Sequence, residues 1–520
     1  MSARKIFVAI IVLFSLLNAQ GSLLLVGGGG EDYNSWSDLP YSWFVKKTDS
    51  GKIVNIDTDE ANSWYANYFK SMGASSESHA FQITANIAND SSTYQNLISA
   101  QGIFIEGGDQ WEYVSSWKGT LVEDAIHHVF NNGGAIGGTS AGLAILGEIC
   151  FDARNGSSYP DETAKNAWDP NISLTDDFLE ILPGVLTDSH FHPRGRLGRL
   201  VPMMAQRILF NGDQNLMGIG IDDKTALCIE SDLKSKTYGK GSVTIVYQSE
   251  NSKIVSEQNQ PVKFTDITLH QLVHGMEYDL NTREPINPEK YLEPVNYSQQ
   301  AKNYQSVTIN GSDSEAINLG EIKVEGLTSN YLNAWYGDLS LSNGNNNIPD
   351  AIIIPQIWSD PDFFENRIVG GLFAAASNPG FQSIFLDSNC TASIDEDGIL
   401  NVNDYAIILD TKSMEYVGFP QQQQEDAPIP ESNHPGIIGA SLHFLRNSET
   451  YNLQEHRTEI ENSNSQNSEK FQLYNIFPNP FNPKTKIKYE LPQKAFVNLE
   501  IFNLQEIGRA SCRERVCVGV

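Results

Sequence analysis

Ser140 lies within Gly137-Gly138-Thr139-Ser140-Ala141-Gly142, a Gly-x-Ser-x-Gly pattern with a short apolar run before it and a helix-forming run after it. A serine on such a strand-to-helix turn is pushed out of the sheet, and small neighbours relieve the crowding there. The same turn aims the backbone N–H of Ala141 at an oxyanion formed beside Ser140. The chemistry implied is nucleophilic attack on a carbonyl. Glycine-rich turns after strands also serve packing, so the pattern needs partners, and three further clusters offer them. Gly107-Gly108-Asp109-Gln110 follows a buried run, where an anion-cradling or oxyanion loop belongs. Asp188-Ser189-His190-Phe191-His192-Pro193-Arg194-Gly195-Arg196-Leu197-Gly198-Arg199 sets a histidine at a strand end, then three arginines at close spacing. Gly218-Ile219-Gly220-Ile221-Asp222-Asp223 ends another strand in paired carboxylates. A serine needs a base to take its proton, and the base needs a carboxylate to hold its tautomer. A guanidinium fork grips the two oxygens of a substrate carboxylate. His190 and His192 alternate along an extended segment, so either can face a pocket. The arginines also read as a solvated helix start. His127 and His128 sit together on a helix and read as surface residues.

The elements that must carry these groups alternate between short apolar runs and helical stretches from Ser22 to about Asp232. Ser22 to Val26 is an apolar strand ending in Gly27-Gly28-Gly29-Gly30, read as a tight turn because no helix-opening fingerprint follows. Asp59 caps a helix that Gly73 stops. Gly102 to Glu106 is a buried strand, Thr120 to Asn131 a helix, Ala135 to Gly137 a strand, and Ala141 onward a helix. Val185 to Asp188, Arg196 to Leu209 and Met217 to Ile221 repeat the strand–helix–strand order. This predicts an α/β fold with a doubly wound, mostly parallel sheet and function at the carboxyl ends of its strands. From Ser242 to about Leu280 the runs turn β-rich and predict antiparallel edge strands.

These motifs, in this order, resemble the cyanophycinase and dipeptidase E family of serine peptidases, over about Ser22 to Leu280. The resemblance implies a flavodoxin-like fold of the class I glutamine amidotransferase kind. It implies Ser140 as nucleophile, His190 rather than His192 as general base, and Asp223 as the triad's acid, where relatives often have Glu. Gly108 and Ala141 would supply oxyanion N–H groups. Gln110, Asp188, Arg194, Arg196 and Arg199 would line or brace the substrate pocket. Relatives acting on cyanophycin, a polymer of aspartate with arginine on its β-carboxyl, tend to have Gln where this chain has Ser189. The function implied is hydrolysis of peptide or isopeptide bonds at aspartyl residues, with cyanophycin the leading substrate. A surface binding module that keeps the fold without turnover is the alternative. Glutamine amidotransfer is disfavoured, because that fold usually places Cys at the elbow.

The 35 basic and 64 acidic side chains leave a formal charge of -29, which argues against a nucleic-acid partner. The expected partners are a peptide or polyamide substrate and, as a further candidate, a second copy of the chain in a homodimer. Cys150, Cys228, Cys390, Cys512 and Cys517 show no metal-site spacing, and the sequence calls for neither metal nor cofactor. Arg4 and Lys5 precede an apolar run from Ile6 to Leu17 and then Asn18-Ala19-Gln20, the parts of a secretory signal peptide over residues 1–19. The peptidase domain is expected over 20–298, a β-rich or degenerate α/β region over 299–455, and a polar linker over 456–470.

Two signals lie beyond the peptidase region. Thr268-Leu269-His270-Gln271-Leu272 leading to Tyr278-Asp279-Leu280 is echoed by Ser441-Leu442-His443-Phe444-Leu445 leading to Tyr451-Asn452-Leu453. Ile219-Gly220-Ile221-Asp222-Asp223 finds a weaker counterpart in Ile384-Phe385-Leu386-Asp387-Ser388. Either the region is a degenerate half-copy, catalytically dead because Ser388 stands where Asp223 stands, or two β-rich stretches agree by chance. Phe477-Pro478-Asn479-Pro480-Phe481-Asn482-Pro483, within 471–506, resembles the C-terminal sorting domain read by the type IX secretion machinery. That implies export to the cell surface or beyond. Residues 507–520 depart abruptly in composition and read as a non-native tail. Asp395-Glu396-Asp397-Gly398 partly matches a calcium loop but is read as a tight turn between strands.

Overall fold

The computed structural model describes residues 7–12, 21–297, 302–326, 330–360, 365–419, 432–454, 472–473, 489–490, 498–503 and 510–512. They fall into two units. One comprises Ala19–Tyr278 with Pro285–Arg457, and the other Met1–Asn18, Asp279–Glu284 and Thr458–Val520. In the second unit Phe7–Val12 pairs parallel with Asn498–Asn503, which pairs antiparallel with Ala510–Cys512. The flanks of the leader, the linker over 456–470, Gln421–Gln424, the Phe477–Pro483 string and Cys517 lie outside the described residues.

The first lobe of the large unit starts with β1 (Ser22–Val26), whose five residues are all buried, as in a strand covered on both faces. After it come α1 (Asp38–Lys47), β2 (Ile53–Asp57), α2 (Ser63–Ser71), β3 (His79–Gln82), α3 (Ser91–Ile98), β4 (Gly102–Ile105), α4 (Gln110–Trp117), α5 (Leu121–Asn131) and β5 (Ala135–Thr139). Helix α5 forms where Thr120 accepts from the N–H of Val122 and Glu123 and Asp124 sit in the first turn. Helix α2 is capped by Asn62, three residues beyond the cap expected at Asp59. The strands order β1–β5–β4–β2–β3, all parallel.

The expected single doubly wound sheet divides here. Beyond β1 the sheet is taken up by β10 (Thr225–Ile229), antiparallel, and then β11 (Lys234–Gly239). With that edge filled, β8 (Leu182–Asp188) and β9 (Met217–Ile221) cannot extend the parallel sheet. They pair in a second one, built on β6 (Gly147–Phe151), β7 (Leu174–Thr175), β12 (Val243–Val255) and β13 (Lys263–Leu272). Helix α7 (Pro160–Lys165) lies between β6 and β7, and α8 (Leu197–Gln206) between β8 and β9. Nor is β13 an edge. Its second side is covered by β22 (Gly436–Arg446), with Thr268 opposite Ser441.

The second lobe reaches β22 by the same route. It contains β14 (Val307–Asn310), β15 (Gly320–Glu325), α9 (Asn330–Tyr336), β16 (Ser340–Asn343), β17 (Ile348–Pro355), α10 (Ile368–Ser377), β18 (Gln382–Leu386), β19 (Thr391–Ile394), β20 (Ile399–Asn403) and β21 (Tyr405–Asp410). Outward from the β13/β22 seam, one side runs β13–β12–β9–β8–β6–β7 and the other β22–β21–β18–β17–β15–β16. Each pairing has the same sense as its counterpart. The echo visible in the sequence lies on this seam. His270 Nδ1 accepts from Gly439 N–H at 3.1 Å, and His443 Nδ1 accepts from Asp266 N–H at 3.2 Å. The hairpin β19–β20 pairs with β14 as β10–β11 pairs with β1. Nothing between Asn310 and Gly320 corresponds to β2–β5. The Asp395 segment is the β19–β20 turn, with the Asp395 carboxylate accepting from the N–H groups of Asp397 and Ile399 at 3.0 and 2.9 Å. One core runs through both lobes, with Leu186, Leu200, Met204, Ile352, Leu372 and Ile384 all buried in it.

Candidate active site

The position of Ser140 rests on glycine. Ser140 follows β5 with φ 53° and ψ −113°, a strained conformation for a residue with a side chain, and α6 (Ala141–Ala144) begins directly after it. A Cβ on Gly138 would fall 2.4 Å from the Gly142 carbonyl carbon, and one on Gly142 2.3 Å from the carbonyl oxygen of Ile105. Only hydrogen fits at either place, so the Gly-x-Ser-x-Gly pattern is a steric requirement of the turn. The Ser140 N–H donates to Val26 O at 3.0 Å, tying the elbow to β1. Helix α6 is a single turn, shorter than the run after Ala141 suggests, because β6 starts at Gly147.

His190 lies two residues past the end of β8 with φ 44°, its N–H donating to Gly27 O at 2.9 Å. Its Nε2 lies 2.7 Å from Ser140 Oγ, and its Nδ1 lies 2.5 Å from Asp223 Oδ1. With Nδ1–H donated to the carboxylate, Nε2 is left as the acceptor for the serine proton. Burial pushes the His190 pKa down, Asp223 pulls it back, and Arg196 and Arg194 lower it further; the net is below the ordinary value. The ring is therefore neutral and ready as a base near pH 7.

The alternating His192 is fully buried on the other side of the segment, near Thr244 and Gln271, and burial pushes its pKa down to about 3. Of the paired carboxylates, Asp222 is inside. It accepts from the N–H of His192 at 2.8 Å and from Ser242 N and Oγ at 2.9 and 2.8 Å. Asp223 is the one that meets the imidazole.

The loop after β4 passes beside Ser140, so that a Cβ on Gly107 would come within 3.3 Å of Ser140 Cβ. Gly108 follows it. The N–H of Ala141 opens α6 and so has no intrahelical acceptor, free for an incoming oxyanion. Asp109 caps α4 through the N–H of Trp111. Gln110 stands half-exposed at the start of that helix, and no contact joins it to Ser140 or His190 among the described residues.

The arginines divide. Arg199 is buried, its Nε and Nη2 donating to the Asp188 carboxylate at 2.8 and 2.6 Å. Arg196 donates to Asp188 Oδ1 at 3.2 Å and to Ser189 O at 2.9 Å. Burial pushes the Asp188 carboxyl upward, but Arg199 and Arg196 outweigh it and hold it below the usual range. These three brace the turn, and Ser189 is buried beneath Arg196. Arg194 alone of the trio is half-exposed with no carboxylate partner among the described residues.

Several site residues escape a reading of the sequence. Gly28, at φ 105°, passes so close to the imidazole that a Cβ there would lie 2.3 Å from His190 Cε1. Glu31 accepts from Tyr41, Tyr65 and Thr139, linking the end of the glycine run to the residue before Ser140. Glu106 accepts from the side chain of Asn55 and from Asn62 N–H, pinning the Gly107–Gly108 loop to α2; burial pushes its pKa up to about 7. The four-glycine run was the available signal, since a tight turn alone does not need four.

Comparison with known proteins joins this geometry to a family. The family described as Peptidase family S51 matches residues 23–236. The chain is 30% identical over 278 residues to a cyanophycinase of Trichormus variabilis, covering 51% of this chain and 88% of that one. The chain belongs to peptidase family S51. Against the cyanophycinase of Synechococcus elongatus it is 35% identical over 206 residues, covering 38% of this chain and 59% of the length of that relative. Among solved structures, a peptidase from an acI-B1 actinobacterium matches with a TM-score of 0.35 at 19% identity, covering 51% of this chain and 98% of that one. Ser140, His190 and Asp223 all lie inside the span matched by the S51 family, and the second lobe lies beyond it.

Proposed function

We propose that this S51 peptidase is of the serine type and cleaves amide bonds at aspartyl residues, with cyanophycin as the leading substrate. The observation that carries the proposal is the unbroken relay from Ser140 Oγ through His190 to Asp223. In the reaction Ser140 Oγ attacks the carbonyl carbon while its proton passes to His190 Nε2. The oxyanion is received by the N–H groups of Ala141 and Gly108. His190 then protonates the leaving amine as the C–N bond breaks, leaving an acyl-enzyme on Ser140. Water, giving its proton to His190, attacks the acyl carbon; the bond to Ser140 Oγ then breaks, His190 returns the proton to Oγ, and the carboxylate product leaves. Asp223 holds the imidazole tautomer and offsets its charge. Arg194, half-exposed and with no carboxylate partner among the described residues, suits a substrate carboxylate. The relatives' name supports cyanophycin itself. The basic and apolar leader and the proline-rich string at 477–483 support an exported protein.

The test is incubation of the protein, and of Ser140→Ala, with insoluble cyanophycin, following soluble aspartyl-arginine dipeptide by mass spectrometry. Release by the wild type alone is expected. If neither protein releases dipeptide but a fluorophosphonate labels Ser140, the serine mechanism stands and the substrate does not, with Ser189 the first residue to suspect. If no label forms either, the binding-module reading replaces the enzyme.

A further inference from the structure

We infer that the second lobe is a lapsed catalytic unit that positions the working one, with Asn366 and Trp358 as the positioning residues through which it acts. The inference rests on the serine-peptidase reading above. The two lobes share more than strand order. His190 N–H donates to Gly27 O, and Gln356 N–H donates to Gly311 O at 3.2 Å. Phe191 N–H donates to Ile221 O at 3.1 Å, and Ile357 N–H to Leu386 O at 3.2 Å. Arg196 Nη1 donates to Ser189 O and Arg367 Nη1 to Pro355 O, both at 2.9 Å. His190 and Gln356 even share a positive φ, 44° and 55°. Gln356 therefore occupies the place of the base and Ser388 that of the acid, while the segment that carries Ser140 has no counterpart.

What the second lobe still does is hold the turn from His190 to Gly198. The buried Asn366 donates from Nδ2 to His192 O at 2.7 Å and to Pro193 O at 3.2 Å. The Trp358 ring closes over the same turn; a Cβ on Gly195 or Gly198 would meet it at 2.8 or 2.7 Å. The ring is itself fixed by its Nε1–H donating to Tyr405 Oη at 2.7 Å. Tyr331 reaches the acid loop, its Oη 3.4 Å from Asp223 O. In the other direction the first lobe touches the lapsed acid loop, where Lys165 Nζ sits 2.9 Å from Asp387 Oδ2. The turn carries the imidazole together with Arg194 and Arg196, so its hold from the second lobe sets both the proton relay and the cations around it.

The experiment measures the rate at which a fluorophosphonate labels Ser140 across pH, beside thermal unfolding, in the full chain. Asn366→Ala is expected to slow labelling about tenfold. It should also move the midpoint of the pH profile upward, because Arg194 and Arg196 no longer stand at their places beside His190. Trp358→Ala should act alike and Trp358→Phe should restore most of the rate. Lys165→Met, at the mirror position, should leave rate and midpoint unchanged. If Asn366→Ala does not fold, Asn366→Asp, which keeps the volume and loses the donor, carries the same expectation. Wild-type rate and midpoint in the folded Asn366 variants overturn the inference, as does an equal slowing by Lys165→Met. A folded wild type that takes no label overturns the serine-peptidase reading, and this inference with it.

Discussion

The turn at His190 and the turn at Gln356 are one backbone with two sets of side chains. Both sit just past the end of a parallel strand, both bond to the carbonyl of a glycine that follows a strand of another sheet, and both are followed by an arginine that reaches back to the residue before the turn. A buried aspartate survives in both, Asp222 and Asp387. Asp222 shows why: it satisfies backbone donors on two elements at once, a task that packing imposes whether or not any chemistry takes place. Asp223 and Ser388 differ: the second carboxylate, buried as well, has its side-chain hydrogen bond to the imidazole, and the second lobe holds no imidazole at that place. The frame is thus kept by the sheet, and the two turns part in two side chains and in the elbow, which has no counterpart among the described residues of the second lobe.

Substitutions that break this contrast should rank in a definite order. Ser140→Ala removes the nucleophile and should lower turnover by at least about a thousandfold with unfolding unchanged, as read by dipeptide release and calorimetry. Asp223→Asn should cost about a hundred- to ten-thousandfold by stranding the wrong tautomer. Its mirror, Ser388→Asp, should leave turnover as it was, since neither base nor nucleophile faces it.

Gly28→Ala places a methyl against His190 Cε1 at a positive φ. It should cut kcat by about a hundredfold and cost about 1–3 kcal/mol in stability. Gly311→Ala meets the Asp387 carbonyl instead, at 2.0 Å, and should lower the melting temperature with little change in kcat of the folded fraction.

A pH profile sharpens the same comparison at lower amplitude. The base must be neutral, so kcat/KM should rise with pH through the His190 pKa. Because burial holds that pKa below the ordinary histidine value, the midpoint should lie on the acid side of it. Arg196→Met removes a cation that favours the neutral ring and should shift the midpoint upward. Smallest of all in its effect on turnover, Lys165→Met leaves the buried Asp387 without its cation on the lapsed side. A loss of about 1–3 kcal/mol in unfolding is expected, with no change in kcat.

Much of the site was legible because its constraints are local. The elbow needs glycine at 138 and 142 for contacts made within one turn of chain and its neighbouring strand, so the residue types announce it. Strands β1, β4 and β5 and helix α5 follow from apolar runs and a capped start, again properties of a few adjacent residues. Which of His190 and His192 faces the serine was not decidable from alternation alone. The positive φ at His190 and the pocket of Thr244 and Gln271 around His192 settle it, and both depend on elements distant in sequence. The same holds for Asp222 against Asp223.

By itself the sequence determined the elbow, strands β1, β4, β5, β8, β9, β12 and β13, and the faint echo of one lobe in the other. That echo persists because His270 and His443 each bond across the seam to the other's strand. Only the tertiary structure decided which strands share a sheet. A strand edge offers the same N–H and C=O groups whatever its side chains. Once β10 had filled the edge of β1, strands β8 and β9 had to build a second sheet, and β22 closed it on the far side.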